Sequence, residues 1–264
     1  MSNKNLEAVV TAVVKRARDS AFFKADGKSS FPSKTSSSPS AANTCTPRKL
    51  RIGTWNVESM SGRASEVVET VTRRNVDICS LQEVRWKGKG TRWINGKNSR
   101  AKFMWQGAED GYGGVGILLQ ELWCDKIIEV KRVSARIMYV KLCIDKCTVV
   151  ILSIYAPQSG RSETIKNTFY DNLQNVMSNF GPQEIVFACG DWNGHIGQKA
   201  PGYEKVHGNL AFGKTNKEGE CILEFADANE LTICNSLFRK NRDNHLITYC
   251  SGASKTQVDY ILVK

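Results

Sequence analysis

A set of polar side chains closes a series of short apolar runs, and their types suit phosphate chemistry. Asn56 ends Leu50-Arg-Ile-Gly-Thr-Trp-Asn, and Glu83 ends Val76-Asp-Ile-Cys-Ser-Leu-Gln-Glu. Tyr155 ends the run 147–155. Asp191 and Asn193 follow Glu184-Ile-Val-Phe-Ala-Cys, and Thr248 and Asp259 lie in the last two runs. Glu83 with Asn56 offers a sparse oxygen site. Mg2+ suits such a site, because it keeps several waters and takes few protein carboxylates. A metal there polarises a phosphate and stabilises a leaving oxygen. Asp191 can take a proton or orient a nucleophile, and Asn193 can donate to an oxyanion without adding negative charge. Each residue alone has an ordinary reading as a cap, a turn former or a packing group. Together, at successive strand exits, they describe a site.

The elements that must position them follow from periodicity. Residues 50–57 alternate as a strand, 62–74 carry helical spacing (Ala64, Val67, Val68, Val71), and 76–83 read as a second strand. A β–α–β unit of this kind makes parallel neighbours by a right-handed crossover. Asn56 and Glu83 then share the C-terminal rim, where ligands of open α/β sheets gather. Gly111-Tyr-Gly-Gly-Val-Gly116 precedes a strand rather than a helix, so it is a tight turn and not a dinucleotide fingerprint. Residues 126–133, 137–144 and 147–155 predict successive strands, 162–180 a helix stopped at Gly181-Pro182, and 184–189 the strand that delivers Asp191. A helix over 218–229 and strands at 231–235, 246–250 and 258–263 complete the reading. The alternation is not strict βαβ, which favours an α/β fold of two packed mixed sheets with helices outside.

The chain carries a net charge of +11, and residues 1–48 contribute eight Lys/Arg against three Asp/Glu. Such a balance fits an anionic partner, with nucleic acid ahead of an acidic membrane surface. Residues 85–102 hold Arg85, Lys87, Lys89, Arg92, Lys97, Arg100 and Lys102, no acid, and interleaved Trp86 and Trp93. This reads as a basic aromatic loop suited to a polyphosphate strand. Residues 1–48 are expected to be a basic tail: an amphipathic helix over 4–18 (Leu6, Val9, Val10, Val13, Val14), then a Ser/Pro-rich disordered linker. The nine cysteines are scattered singly, which suggests reduced, buried thiols in an intracellular protein. No apolar run reaches transmembrane length. The expectation is an intracellular, nuclear, non-secreted monomer.

Thr54-Trp-Asn56, Leu81-Gln-Glu83, Ile154-Tyr-Ala-Pro-Gln158, Gly190-Asp-Trp-Asn193, Thr248 and Gln257-Val-Asp-Tyr-Ile261, in this order, resemble the endonuclease/exonuclease/phosphatase superfamily. Within it they look like the apurinic-type endonuclease domain of RTE-type non-LTR retrotransposons and of craniofacial development protein 2-like proteins. The resemblance spans residues 50–264, so a catalytic domain over 49–264 is expected. It implies a four-layered, deoxyribonuclease I-like α/β-sandwich and Mg2+-dependent cleavage of DNA phosphodiesters, with Mn2+ as the alternative metal. It further implies that Glu83 and Asn56 serve the metal and that Tyr155 contacts the scissile phosphate. Asp191 would position or deprotonate the attacking water, Asn193 would orient Asp191 and the phosphate, and Asp259 would orient a catalytic histidine. Gln158, Thr248, Arg85, Lys87, Lys89 and Arg92 would meet phosphate or nucleic acid.

Two departures stand out. Gln158 occupies a position where several relatives carry Asn. The chain also stops at Lys264 before a Ser-Asp-His-type motif, and His195, His207 and His245 stand in no matching context. The expectation is therefore a domain without its last strand and catalytic histidine, with an unpaired sheet edge. Three readings stay open: a DNA endonuclease of retrotransposon descent, a catalytically inactive binding remnant, and a phosphodiesterase for small molecules or lipids.

Overall fold

The computed structural model describes residues 13–16, 50–241, 243–252 and 254–264. Two six-stranded mixed sheets pack face to face. In the first, β1 (Val13–Arg16), β2 (Ile52–Asn56), β3 (Ile78–Gln82), β6 (Val115–Gln120), β5 (Arg100–Gln106) and β4 (Lys89–Asn95) lie in that order. In the second the order is β11 (Thr232–Ile233), β14 (Asp259–Val263), β10 (Ile185–Asp191), β9 (Cys147–Tyr155), β8 (Ile137–Ile144) and β7 (Ile127–Ser134). A small hairpin, β12 (Tyr249–Ser251) with β13 (Ser254–Thr256), stands apart.

Period-2 alternation assigns each sheet two buried faces. Ile52, Ile78, Ile117, Val140, Ile151, Phe187 and Ile261 meet between the sheets. The outer face of the first sheet (Trp55, Leu81, Phe103, Leu118) buries the apolar stripe of α1 (Ala64–Arg73), formed by Val67, Val68 and Val71. The outer face of the second (Val150, Leu152, Val186, Ala188) takes α2 (Glu163–Met177) and α3 (Lys217–Ala228) through Phe169, Leu173, Ile222 and Phe225. The result is the expected four-layered sandwich. Ser162 caps α2 by accepting from the Ile165 N–H, and Asn216 caps α3 by accepting from the Gly219 N–H.

The β–α–β unit folds as expected, with β2 and β3 parallel. The strands read at 126–133, 137–144, 147–155, 184–189 and 258–263, and the three helices of the domain, are present within a few residues. Four readings are corrected. Residues 85–102 are mostly not a loop: β4 and β5 pair over seven residues as a hairpin at the sheet edge. In β4 only Ile94 is buried, so the sequence lacks the apolar alternation that marks a strand. Val13–Arg16, placed in a helix by the valine spacing, is a strand parallel to β2. The open edge of β2 offers unpaired backbone groups to such a partner. The rest of the 4–18 helix lies outside the described residues. The run 246–250 starts its strand only at Tyr249, and 231–235 is cut to two residues by a 3-10 turn at Cys234–Ser236. Beside β2 the first sheet ends in β1, and beside β14 the second ends in β11.

The described cysteines are free thiols. Cys79, Cys189 and Cys234 are buried, whereas Cys143 is exposed, so burial is less general than expected. No described helix is long and apolar enough to cross a membrane.

Candidate active site

Strand register gathers the site. Along β2 the residues facing the opposite sheet are Ile52, Thr54 and Asn56; along β10 they are Phe187, Cys189 and Asp191. Along β9 they are Ile151, Ser153 and Tyr155, and along β14 Ile261 and Asp259. Each series runs from apolar core to a polar last member at one mouth of the inter-sheet space. A buried polar ladder lies beneath: the Thr54 hydroxyl donates to Gln82 Oε1 (3.1 Å), Gln82 Nε2 to Ser153 Oγ (3.3 Å), and Ser153 Oγ to the Leu81 carbonyl (3.0 Å). It ties β2, β3 and β9 together, so the residues above it cannot slide against one another.

Glu83 breaks the alternation. Gln82 already faces inward, so a continuing strand would turn Glu83 toward α1. Instead Glu83 has φ 54° and Arg85 φ 51°. Left-handed backbone in a non-glycine residue costs on the order of 1–3 kcal/mol, and such strain clusters at functional sites. Here it re-aims the carboxylate into the mouth. Asn193 (φ 49°) does the same for its amide, which donates to the Ala156 carbonyl at 2.8 Å.

The carboxylates are joined by one amide. Asn56 Nδ2 donates to Glu83 Oε1 (3.0 Å) and to Asp191 Oδ2 (2.9 Å), while Asn56 Oδ1 accepts from the Glu58 N–H (3.1 Å). The Tyr155 hydroxyl donates to Glu83 Oε1 (3.0 Å) and Arg85 to Glu83 Oε2 (2.7 Å). Asp191 Oδ1 accepts from the Asn193 N–H (3.1 Å). Burial pushes the Glu83 carboxyl up, but the bonds from Asn56, Arg85 and Tyr155 outweigh it and hold the group below the ordinary glutamate value. Burial, with the negative charges of Glu83 and Asp191, drives the Tyr155 phenol well above its usual value, so it stays protonated and donates. The Asn56 arrangement differs from the expected metal ligand. An amide between two carboxylates must present hydrogens, so its oxygen turns to Glu58 and it bridges instead of coordinating.

Asp259 lies opposite Asp191 in the β10–β14 ladder and is fully buried. Thr248 does not reach the mouth by its acceptor side: its Oγ1 takes the Val258 and Asp259 N–H groups (3.0 and 3.2 Å), which fixes the entry into β14. His195 packs at the start of α3, where its backbone N–H donates to Asn216 Oδ1. His207 is buried between the Gly197 carbonyl and the Asn209 N–H.

A cavity of about 310 Å3 opens above Glu83 and Tyr155. Of the expected phosphate residues Arg85 and Gln158 line it, whereas Lys87, Lys89 and Arg92 belong to the neighbouring loop and hairpin. Sequence reading missed Arg136 and Arg161, which also line it. Arg136 donates to the Tyr155 carbonyl (3.1 Å) and lies 5.2 Å from the Tyr155 ring centroid; burial lowers its pKa. It sits in the turn between β7 and β8, and no local pattern marks it. The far wall is the turn 110–114, whose Gly113 packs on the Tyr155 ring so closely that a Cβ would lie 3.3 Å from it.

Among the described residues no three Asp, Glu, His or Cys side chains cluster to hold a metal. Glu83 is the half-buried carboxylate of the cavity floor, and one of its oxygens pairs with a partly exposed arginine. A single hard oxygen donor beside water fits Mg2+, which keeps its hydration, and does not fit the closed N/S ligand set of zinc.

The model of the Endonuclease/Exonuclease/phosphatase family matches residues 53–264. The chain belongs to this family. Craniofacial development protein 2 of Bos taurus is 28% identical over 225 residues, which are 83% of this chain and 37% of that protein. The chain thus spans well under half the length of this curated relative. Two solved structures share the fold. The AP endonuclease LMAP from Leishmania major superposes with TM-score 0.55 at 13% identity, covering 80% of this chain and 78% of its own. The 3′ phosphatase NExo from Neisseria, bound to a product DNA hairpin, gives 0.54 at 16% identity, covering 81% and 86%. The two-sheet sandwich described above is therefore the fold of both.

Proposed function

We propose that the chain is a divalent-metal-dependent phosphodiesterase that nicks DNA, of retrotransposon descent. The observation that carries the reading is the hydrogen-bonded chain Tyr155–Glu83–Asn56–Asp191 beneath a cavity lined by Arg85, Arg136 and Arg161. Glu83, whose carboxyl is held below the ordinary glutamate value, is the residue that would hold Mg2+ or Mn2+, which would supply charge stabilisation to a phosphate and its leaving oxygen. The chain's own groups do the rest. The arginines and Gln158 receive the phosphodiester, and guanidinium groups suit its oxygens. Tyr155, kept protonated, turns its one hydroxyl hydrogen from Glu83 to the incoming phosphate. Asp191 takes the proton of the attacking water, with Asn56 as the side chain that must yield to admit that water, because Asp191 is fully buried behind it. Asn193 holds Asp191 by its backbone N–H, and Asp259 and Thr248 position β14 against β10.

The net charge of +11 and the DNA hairpin bound by the Neisseria relative favour DNA over a small phosphate ester or a lipid. The test is nicking of supercoiled plasmid with Mg2+. Metal-dependent nicking that Glu83→Gln abolishes is expected. A chain that binds DNA and leaves it intact in Mg2+ and Mn2+ would instead establish the binding remnant.

A further inference from the structure

A second opening adjoins the cavity. It holds about 800 Å3 between the start of α1 (Met60 to Ser65) and a wall of Trp86, Lys87, Arg92 and Trp105. Arg85 lines both openings, so they form one track.

The wall is built rather than incidental. The Arg92 guanidinium lies 4.0 Å from the Trp86 ring centroid. Trp86 is held edge-on by Phe103 (5.2 Å) and Trp105 (5.1 Å). Trp105 Nε1 donates to the Lys87 carbonyl (3.3 Å), and the Gly107 N–H donates to the Gly88 carbonyl (2.7 Å). A Cβ at Gly90 would lie 2.3 Å from the Trp105 ring, so the strand approaches as only glycine permits. Arg132 anchors the same segment from β7, donating to the Gly90 carbonyl and Thr91 Oγ1 at 2.8 Å each. Among the described residues neither Lys87 nor Arg92 has a carboxylate partner, in contrast to Arg85 with Glu83. Stacking on an indole covers a face of the guanidinium and leaves its N–H edges free, in a fork that matches two phosphate oxygens.

We propose that this opening is a second phosphate site, in which Lys87 and the Trp86-stacked Arg92 grip a phosphodiester of the same DNA strand, beside the one held over Glu83. The inference rests on the nuclease reading above. A DNA strand carries a phosphate about every 3.4 Å of helix axis, so a strand seated in the cavity must present further phosphates along the track. Arg85 marks the crossing between the two sites.

The test measures binding of the full chain to a 20-base-pair duplex in EDTA at several salt concentrations. The proteins are wild type, the double variant Arg92→Gln with Lys87→Gln, and Arg136→Gln, with thermal melts to confirm folding. Each phosphate neutralised contributes about 0.9 to the slope of log affinity against log salt, so the double variant, which empties one phosphate site, is expected to flatten the slope by about 0.9. Arg136→Gln is expected to flatten it by about 0.9. If Arg136→Gln flattens the slope and the double variant does not, the second site is refuted and the nuclease reading survives. If the wild-type chain shows no salt-dependent binding to DNA, both fall.

Discussion

Asn56→Asp separates a bridging amide from a metal ligand. The substitution preserves shape and exchanges the amide hydrogens for a negative charge. Two charge-assisted bonds disappear, to Glu83 at 3.0 Å and to Asp191 at 2.9 Å. Each such bond contributes about 1.5–3 kcal/mol. Glu83 is partly open to water, which favours the lower end, so the loss is about 3 kcal/mol at pH 8 before any repulsion among three carboxylates. That corresponds to a fall in Tm of about 6–12 °C for a domain of this size. Asn56→Ala loses the same bonds and adds no charge, so the difference between the variants isolates the repulsion. It also reverses a pH trend. In the wild-type chain Glu83 is held below its ordinary value, so its stabilisation is complete above the unfolded pKa and is lost as pH falls through the lowered one. In Asn56→Asp the crowded acids share a proton, their pKa rises, and stability is regained on going from pH 8 to pH 5. Urea unfolding followed by tryptophan fluorescence, in EDTA, reads both effects. A loss under about 1 kcal/mol at pH 8, or an equal deficit at pH 5 and pH 8, would refute the bridging role.

Two further outcomes follow from packing. Gly219→Ala would place a Cβ 1.7 Å from the His195 carbonyl oxygen, which is backbone, so α3 must shift; the expected cost is about 1–3 kcal/mol, read as a lowered urea midpoint. His207, whose pKa burial lowers below the ordinary 6.5, contributes stability that is present above the unfolded pKa and lost as pH falls through the folded one; its imidazole signals in an NMR titration should move only below pH 6.5.

Much of the molecule was legible because burial leaves a periodic trace. β9 and β10 are buried on both faces, and α2 carries a one-sided stripe, so their sequences announce them. The hairpin of β4 and β5 failed that test for a physical reason. An edge strand with Ile94 as its single buried residue has no alternation to read, and its lysines and arginines resemble a solvated loop. The pairing comes instead from β5, whose Phe103 and Met104 are buried on opposite faces. The β1 strand was hidden differently: its valines satisfy a helical spacing and a strand equally, and the open edge of β2 decides.

The site divides along a similar line. Sequence places Asn56, Tyr155 and Asp191 at one mouth because each is the last inward member of its strand, and Asp259 joins them as the first residue of the antiparallel β14, so type and register coincide. Glu83 was found by its position at a strand exit, although its presence in the site depends on a left-handed turn that no periodicity encodes. Arg136 was missed because it sits between strands, with nothing local to separate it from any exposed arginine. Only the pairing of β8 with β9 brings it to the Tyr155 carbonyl. What a side chain does at the site was less legible than where it lies. Asn56 carries one oxygen and two hydrogens, and sequence could not say which faced the carboxylates. The answer depends on Asp191, 135 residues away, whose approach makes the oxygen-inward orientation untenable. The same logic gives Arg85 two roles. It pairs with Glu83 at 2.7 Å and lines both openings, so under the proposed function a phosphate above Glu83 would offer the guanidinium a second anion without requiring it to leave its place between them.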